Sequence, residues 1–339
     1  MKRTIRAFLA VAIAAVVLFP GSPAAAETRS ERWQARALDA FSRFEAADDG
    51  HEIPHTYAFA AQTRAWMYGW GDPQAVAYLD KVRSLRNPDG GWGLGYAYDF
   101  AGNGTINPPT TTYTVTLADH VGPVLLDAYK HGAATVAEVK AIVTLIMRMP
   151  RIHDAGEMYG QCIAYSNSPL DSGAGMCTHN VNAGAAQFLL DTNAAGVGTT
   201  GLMAYVVSAT RRETASYREG DHWWKYMDSM GIAQQDADHN SYMAETMYTL
   251  AYPIGREVAW WQMTTPGIPD SALAHARLTG LPGGPASMSA DGSTTLWCEL
   301  GDQWFGEFDA WVDDRDAAGD ARRLVQAAYY AETAARSCA

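Results

Sequence analysis

The chain has 339 residues, 48% of them hydrophobic, and a formal charge of −12 at pH 7, enough length for one large domain or two small ones. The acidic balance argues against nucleic acid and anionic membrane surfaces as partners and permits neutral or cationic substrates. Past the N-terminal leader, no run is long and charge-free enough to span a membrane.

The leader is "MKRTIRAFLAVAIAAVVLFPGSPAAA". Its basic head (Lys2, Arg3, Arg6), apolar stretch from Ala7 to Phe19 and small-residue end Ala24-Ala25-Ala26 read as a secretory signal peptide over residues 1–26. Residues 27–339 are then expected to form a single exported domain. Removing the three leader cations takes the charge from −12 to −15. The four cysteines of such a protein are expected to form two disulfides. Cys162–Cys177 and Cys298–Cys338 close the shorter loops, and the first stabilises by roughly 3 kcal/mol in the chain-entropy model. None of the spacings is the CxxC of a zinc site.

Along the chain, helical patterns come in pairs: 55–69 with 74–86, 111–130 with 136–149, 179–192 with 198–212, and 239–252 with a partner near 254–263. A fifth unit begins near Ser293. Turns within pairs are short and carry Gly, Asp and Pro, as helical hairpins require. Connections between pairs are long: 87–110, 150–178, 213–238 and 264–292. Loops of that length in a compact domain are usually functional, and alternating hairpins bring them out at one end. The first member of each pair is apolar on most faces, as in "NVNAGAAQFLL", and the second has one apolar stripe, as in "YLDKVRSLR". That contrast predicts inner and outer helices. The expected fold is all-α: an α/α toroid, an incomplete barrel of about five to six helical hairpins with long loops at one mouth.

The segment 78–95, "YLDKVRSLRNPDGGWGLG", resembles the repeat of the terpenoid-cyclase and prenyltransferase toroids, in which an outer helix ends in an Asp-Gly-x-Trp-Gly turn. Here the turn is Asp89-Gly90-Gly91-Trp92-Gly93. It is also similar to the DGGW turns of secreted α/α-toroid polysaccharide lyases and glycosidases. The resemblance implies the toroid and leaves the chemistry open, because such folds host many activities.

In a toroid the starts of the inner helices converge on the mouth of the cavity. His55 and Tyr57, Tyr113, the pair His179-Asn180 and the pair His239-Asn240 all stand there. Helix starts carry unsatisfied N–H groups and a partial positive charge that suit anions. "QQDADHNSYMAE" (234–245) adds acids. Asp238 caps the helix, Asp236 precedes it, and helical periodicity puts Asp238, Tyr242 and Glu245 on one stripe. Unpaired carboxylates are costly to bury, so a wet cavity lined by them points to function. Asp236, Asp238, His239, Glu245 and His179 are therefore the expected catalytic residues. His55, Tyr57, Tyr113, Asn180, Asn240, Tyr242, Trp223 and Trp224 are the expected substrate-binding residues, the two tryptophans as a sugar-stacking pair. Trp92, in the turn, reads as structural. Nothing in the histidine spacing demands a metal, no cofactor is expected, and P-loop, GxSxG, HExxH and EF-hand motifs are absent.

The leading expectation is an exported enzyme that cleaves a polysaccharide or oligosaccharide. Hydrolysis by paired carboxylates, with Asp238 as acid and Asp236 or Glu245 as its partner, is slightly favoured over elimination. A lyase acting beside a uronate also wants arginine, and only Arg211, Arg212 and Arg218 stand near a mouth loop. One rival is a terpene-cyclase-like enzyme, because "DADH" (236–239) resembles the Asp-x-Asp-Asp motif with its last Asp replaced by His; Asp238 would then protonate an alkene. Another is a toroid that only binds. A dry aromatic cavity favours the cyclase and a polar open cleft favours the glycan enzyme.

Overall fold

The structure is a computed structural model that describes residues 27–100, 104–152, 160–172, 177–218, 223–227, 239, 242, 243, 246, 247, 250 and 294–338. The leader (1–26) and the helix partner expected near 254–263 lie outside the described residues. Within them the fold is all-α. Helices α1 (Arg29–Ala47), α2 (Pro54–Tyr68) and α3 (Pro73–Ser84) come first. A π-helical turn (Thr116–Val121) then runs directly into α4 (Gly122–Lys130), and α5 (Val136–Arg148) follows. The ribbon β1 (Arg151–Ile152) with β2 (Cys162–Ile163) precedes the short α6 (Pro169–Ser172). Next come α7 (His179–Ala194), α8 (Leu202–Ser216) and the ribbon β3 (Tyr217–Arg218) with β4 (Trp223–Trp224). The helices α9 (Thr294–Ala317) and α10 (Ala321–Ser337) close the chain. No helix among the described residues is long and apolar enough to cross a membrane.

Three of the expected hairpins are present, α2 packing on α3, α4 on α5, and α7 on α8, and α9 packs on α10 as the unit expected from near Ser293. Local chemistry sets their ends. Asp72 caps α3 by accepting from the N–H groups of Gln74 and Ala75 at 3.1 and 2.9 Å, with Pro73 in the first helical position. Thr135 and Glu138 form a reciprocal capping box on α5. The helices α10, α2, the π turn and α7 lie side by side in that order. α2 and α7 are buried on most faces, polar residues such as Gln62, Thr63 and Asn182 included. Gln62 and the Trp70 indole both donate to Asp127, at 2.8 and 2.9 Å, and tie α2 to α4.

Two boundaries differ from the sequence expectation. The helix expected from 111 begins only after Tyr113, because Tyr113 pairs with Ser166 in an isolated antiparallel bridge and Thr114 donates to the Tyr165 carbonyl at 2.8 Å. The helix expected at 198 begins at Leu202, because Gly201 sits at φ 83° in the preceding turn. One helix joins those expected: α1, along which α10 packs, so the two ends of the described chain meet, and Ser30 donates to the Ala335 carbonyl at 2.6 Å.

The helix widens where Pro123 follows. Proline has no N–H to give to the carbonyl of Asp119 four residues back. The ladder upstream shifts to the π register, as happens in single turns often found at functional sites. Asp119 and His120 stand in that turn.

Cys162 and Cys177 form the expected disulfide, with Cα atoms 5.9 Å apart. Cys338 is disulfide-bonded as well; the side chain of its expected partner, Cys298, lies outside the described residues.

Candidate functional site

An open pocket of about 770 Å3, counting its solvent-filled mouth, lies where the helix starts meet. His55 comes from the first turn of α2, Val115 and His120 from the π-turn region, Asn180 and Val181 from the start of α7. His239 comes from its own segment, and Arg322, Arg323 and Gln326 from the start of α10. The loop 94–98 adds Tyr96 and Tyr98, and Tyr165 and Tyr226 complete an aromatic side.

The loops that frame the mouth are held by two carboxylates. Asp89 accepts from the Thr112 hydroxyl at 2.9 and 2.8 Å, from the Asn167 amide at 2.7 Å and from the Gly91 N–H at 2.9 Å. The buried Asp171 accepts from both Ser166 and the Asn107 amide. In the same turn Trp92 is fully buried and its indole N–H donates to the Val82 carbonyl at 2.8 Å, so it is structural as expected. The aromatic side is a packed layer: Tyr165 stacks on Phe100 at 4.1 Å between centroids and meets Tyr113 edge-on at 5.5 Å.

Among the described residues, Nδ1 of His55 and Oδ1 of Asn180, both buried at the pocket, make no hydrogen bond. Buried polar groups are nearly always satisfied, and an exception calls for a reason; at a pocket wall, a ligand is the direct one. His55 is held well below the usual imidazole range, first by burial and then by the positive potential of His120, Arg322 and Arg323. It is therefore a neutral base at neutral pH. Tyr98 and Tyr165 are pushed the other way by burial, Tyr165 strongly, and keep their protons.

The cations are the less expected part. Arg322 and Arg323 occupy the first turn of α10, after the capping residue Asp320 and Ala321. Positive charge is disfavoured there, because the helix N-terminus is itself the positive pole. Arg322 lies over the Tyr96 ring at 5.9 Å and makes no ion pair among the described residues. Arg323 donates to Gln326 at 2.8 Å, and burial followed by Arg322 lowers its pKa; a guanidinium nevertheless stays charged. None of the described residues lining the pocket is acidic. An acidic protein thus carries a local cationic pocket built on a helix N-terminus, the arrangement that binds carboxylates and phosphates.

Of the residues singled out in the sequence, His55, Asn180 and His239 line this pocket together. Tyr57 does not: its hydroxyl donates to Asp48 at 2.9 Å on another side of α2. Tyr113 is fully buried behind Tyr98 and Tyr165. His179 is buried within the wall, its Nδ1 2.6 Å from Glu213 Oε2. The other oxygen of Glu213 accepts from Asn182 at 2.6 Å, and Asn182 accepts from the Tyr205 hydroxyl at 2.6 Å. Tyr242 donates to Asp119 at 2.7 Å. Trp224 is 1% exposed and belongs to the core, not to a stacking platform. The side chain of Trp223, with Asp236, Asp238, Asn240 and Glu245, lies outside the described residues. Of the mouth-loop arginines, Arg212 is buried and donates to the Gly160 carbonyl at 3.2 Å, away from the pocket.

Arg322, Arg323 and Gln326 went unread in the sequence. The signal was present, as adjacent arginines in the first turn after an Asp cap, against the helix polarity. Two groups of metal-ligand type occur among the described residues. In the first, Cys177 beside His179 and Glu213 is committed to a disulfide and has no thiolate to offer. The second is Asp48, Asp49 and His51, none of which lines the pocket. No protein-family model, curated protein or solved structure matches this chain.

Proposed function

We propose that the chain is an exported α/α-toroid enzyme that cleaves an acidic glycan by β-elimination beside a uronate carboxylate. The observation that carries this reading is Arg322 and Arg323 in the first turn of α10, lining one pocket with the neutral His55 and with Asn180, whose Nδ1 and Oδ1 are buried without a hydrogen bond among the described residues. Several features support the toroid. The helices α10, α2, the π turn and α7 form a side-by-side inner layer, α3, α5 and α8 pack outside it, and the helix starts share one pocket. The DGGWG turn resembles that of toroid polysaccharide lyases. The leader and the disulfide support export.

The steps follow from the side chains. Arg322 and Arg323 bind the uronate carboxylate, and Asn180 Oδ1 accepts from a hydroxyl of the sugar. Neutralising that charge makes the adjacent C5 proton more acidic, an electrostatic stabilisation of the anion that develops as the proton leaves. His55 Nδ1 takes the proton. The C5–H electron pair becomes the C4–C5 double bond, the C4–O glycosidic bond breaks, and protonated Tyr98 gives its proton to the departing oxygen. Atoms balance without water or an oxidant.

Paired-carboxylate hydrolysis is the second reading. It rests on Asp236, Asp238 and Glu245, outside the described residues, whereas the described lining is cationic and free of carboxylates. The polar lining also disfavours an alkene-protonating cyclase. The test is a panel of acidic and neutral polysaccharides followed by the ultraviolet absorbance of unsaturated uronates. Acidic polymers should give absorbance that His55→Asn and Arg322→Gln abolish; cleavage of neutral polymers alone refutes the proposal.

A further inference from the structure

A second groove, of about 620 Å3, lies on the other side of the segment Gly93–Tyr96. Leu94 and Tyr96 line the main pocket, whereas Gly93 and Gly95 line this groove, together with Ser84, Arg86 and Pro109. One chain segment is therefore the wall between the two. It is pressed tightly into place: a Cβ on Gly93 would stand 1.9 Å from the Pro109 carbonyl oxygen, and one on Gly95 2.4 Å from that of Glu52. Gly95 also sits at φ 80°, where side chains are strained. The wall is thus fixed backbone, and the prolines Pro54, Pro88 and Pro109 stiffen the rest of the groove.

Arg86 gives this groove its chemistry. Its guanidinium lies 4.7 Å from the centroid of the Trp92 ring, which is itself fully buried and hydrogen-bonded. Stacking on a fixed ring orients the planar cation at little further entropic cost. Arg86 makes no ion pair among the described residues, although its neighbour Arg83 takes Glu138 at 2.7 Å and Asp80 at 2.7 Å. Glu52, the acid of the lining, is exposed and leaves Arg86 unpaired. The site therefore offers an oriented guanidinium that feels the Glu138 carboxylate without pairing to it, one chain segment away from a pocket that carries Arg322.

We infer that the groove at Arg86 is a second binding subsite for a distal acidic sugar of the same polymer, so that the chain grips a polyuronate on both sides of the Gly93–Tyr96 wall. The inference rests on the acidic-glycan reading of the main pocket. Two tethered anionic contacts act as one multivalent ligand, and only oligomers long enough to span the wall benefit.

The test is calorimetric binding of oligogalacturonates and alginate oligosaccharides, as dimers and hexamers, to the full chain carrying His55→Asn so that ligand is not consumed. Hexamers should bind roughly tenfold tighter than dimers. Arg86→Gln should remove most of that advantage and leave dimer affinity unchanged. Ser84→Glu, which puts a negative charge on the exposed rim of the groove without disturbing Arg86 and Trp92, should do the same. An undiminished hexamer advantage in both variants overturns the subsite while leaving the main pocket intact. If no acidic oligosaccharide binds, or if Arg322→Gln leaves dimer affinity untouched, the reading of the main pocket falls and the subsite with it.

Discussion

The imidazoles of His55 and His120 face each other with 5.1 Å between ring centroids, one from the first turn of α2 and the other from the π turn. Two such rings cannot both be charged so close together without mutual cost. Burial and the nearby guanidiniums act on His55 in the same direction. The proposed base is therefore ready to accept a proton at neutral pH.

That depression sets a pH dependence. With its folded pKa below the unfolded value, His55 binds fewer protons folded than unfolded in the window between the two. Its contribution to stability is therefore full above the ordinary imidazole value of about 6.5 and is lost as pH falls through the window. The rate follows the same group. The acid limb of kcat/KM should fall only below about pH 6.5, and His55→Asn should remove that limb with at least about a hundredfold of the rate. A pH–rate profile of the wild type, with melts across the same range, checks both; an acid limb centred above the ordinary imidazole value refutes the assignment.

Arg322 should show opposite effects on stability and function. Its charge sits at the positive pole of α10, so Arg322→Gln should leave the melting temperature unchanged or raise it, by up to about 1 kcal/mol of helix-dipole energy. Turnover of an acidic substrate should fall by about two orders of magnitude or more, the worth of an electrostatic contact in the transition state. Melting curves and initial rates on one preparation separate this from a structural role, in which stability would drop and rate would follow it.

His179 and Glu213 should behave as framework. They form a buried pair with Asn182 and Tyr205 attached. Removing one partner of such a pair costs about 3–5 kcal/mol because the other is left uncompensated. Glu213→Ala should therefore lower stability steeply, and any variant that folds should keep the wild-type pH profile. Denaturant unfolding and the acid limb of kcat/KM decide; a stable but inactive Glu213→Ala protein would move this pair into the mechanism.

The disulfide should contribute through the unfolded chain. Cys162–Cys177 closes a loop of sequence separation 15, and the paired change to Ala should cost about 3 kcal/mol. Chemical denaturation of the double variant, with peptide mapping without reduction, checks the magnitude and the connectivity of all four cysteines.

The helical pairing was legible because "NVNAGAAQFLL" is apolar or small on most faces, as an inner position requires, whereas "YLDKVRSLR" has a single apolar stripe. Side-chain direction was legible less often. Asn180 lines the pocket and His179 does not, since consecutive helical residues point roughly 100° apart. The same geometry turns Tyr57 towards Asp48 while His55 faces the pocket. Trp224 looked like a loop aromatic, yet β4 pairs with β3 and buries it. The bridge from Tyr113 to Ser166 joins residues distant in sequence and leaves no local pattern. Arg322 and Arg323 stand out only once α10 is seen to pack beside α2 and complete the pocket.

The most direct test of elimination at this pocket is the mass of the products. Elimination consumes no water, so each cut of a polyuronate should release one fragment lighter by a water molecule than the saturated oligosaccharide, carrying the double bond. Mass spectrometry of an exhaustive digest reads this without assumptions about rate. The account predicts unsaturated non-reducing ends in the wild-type digest and none with Arg322→Gln or His55→Asn. Saturated fragments throughout, each carrying a full added water, would contradict it and return the chemistry to the paired carboxylates of a hydrolase.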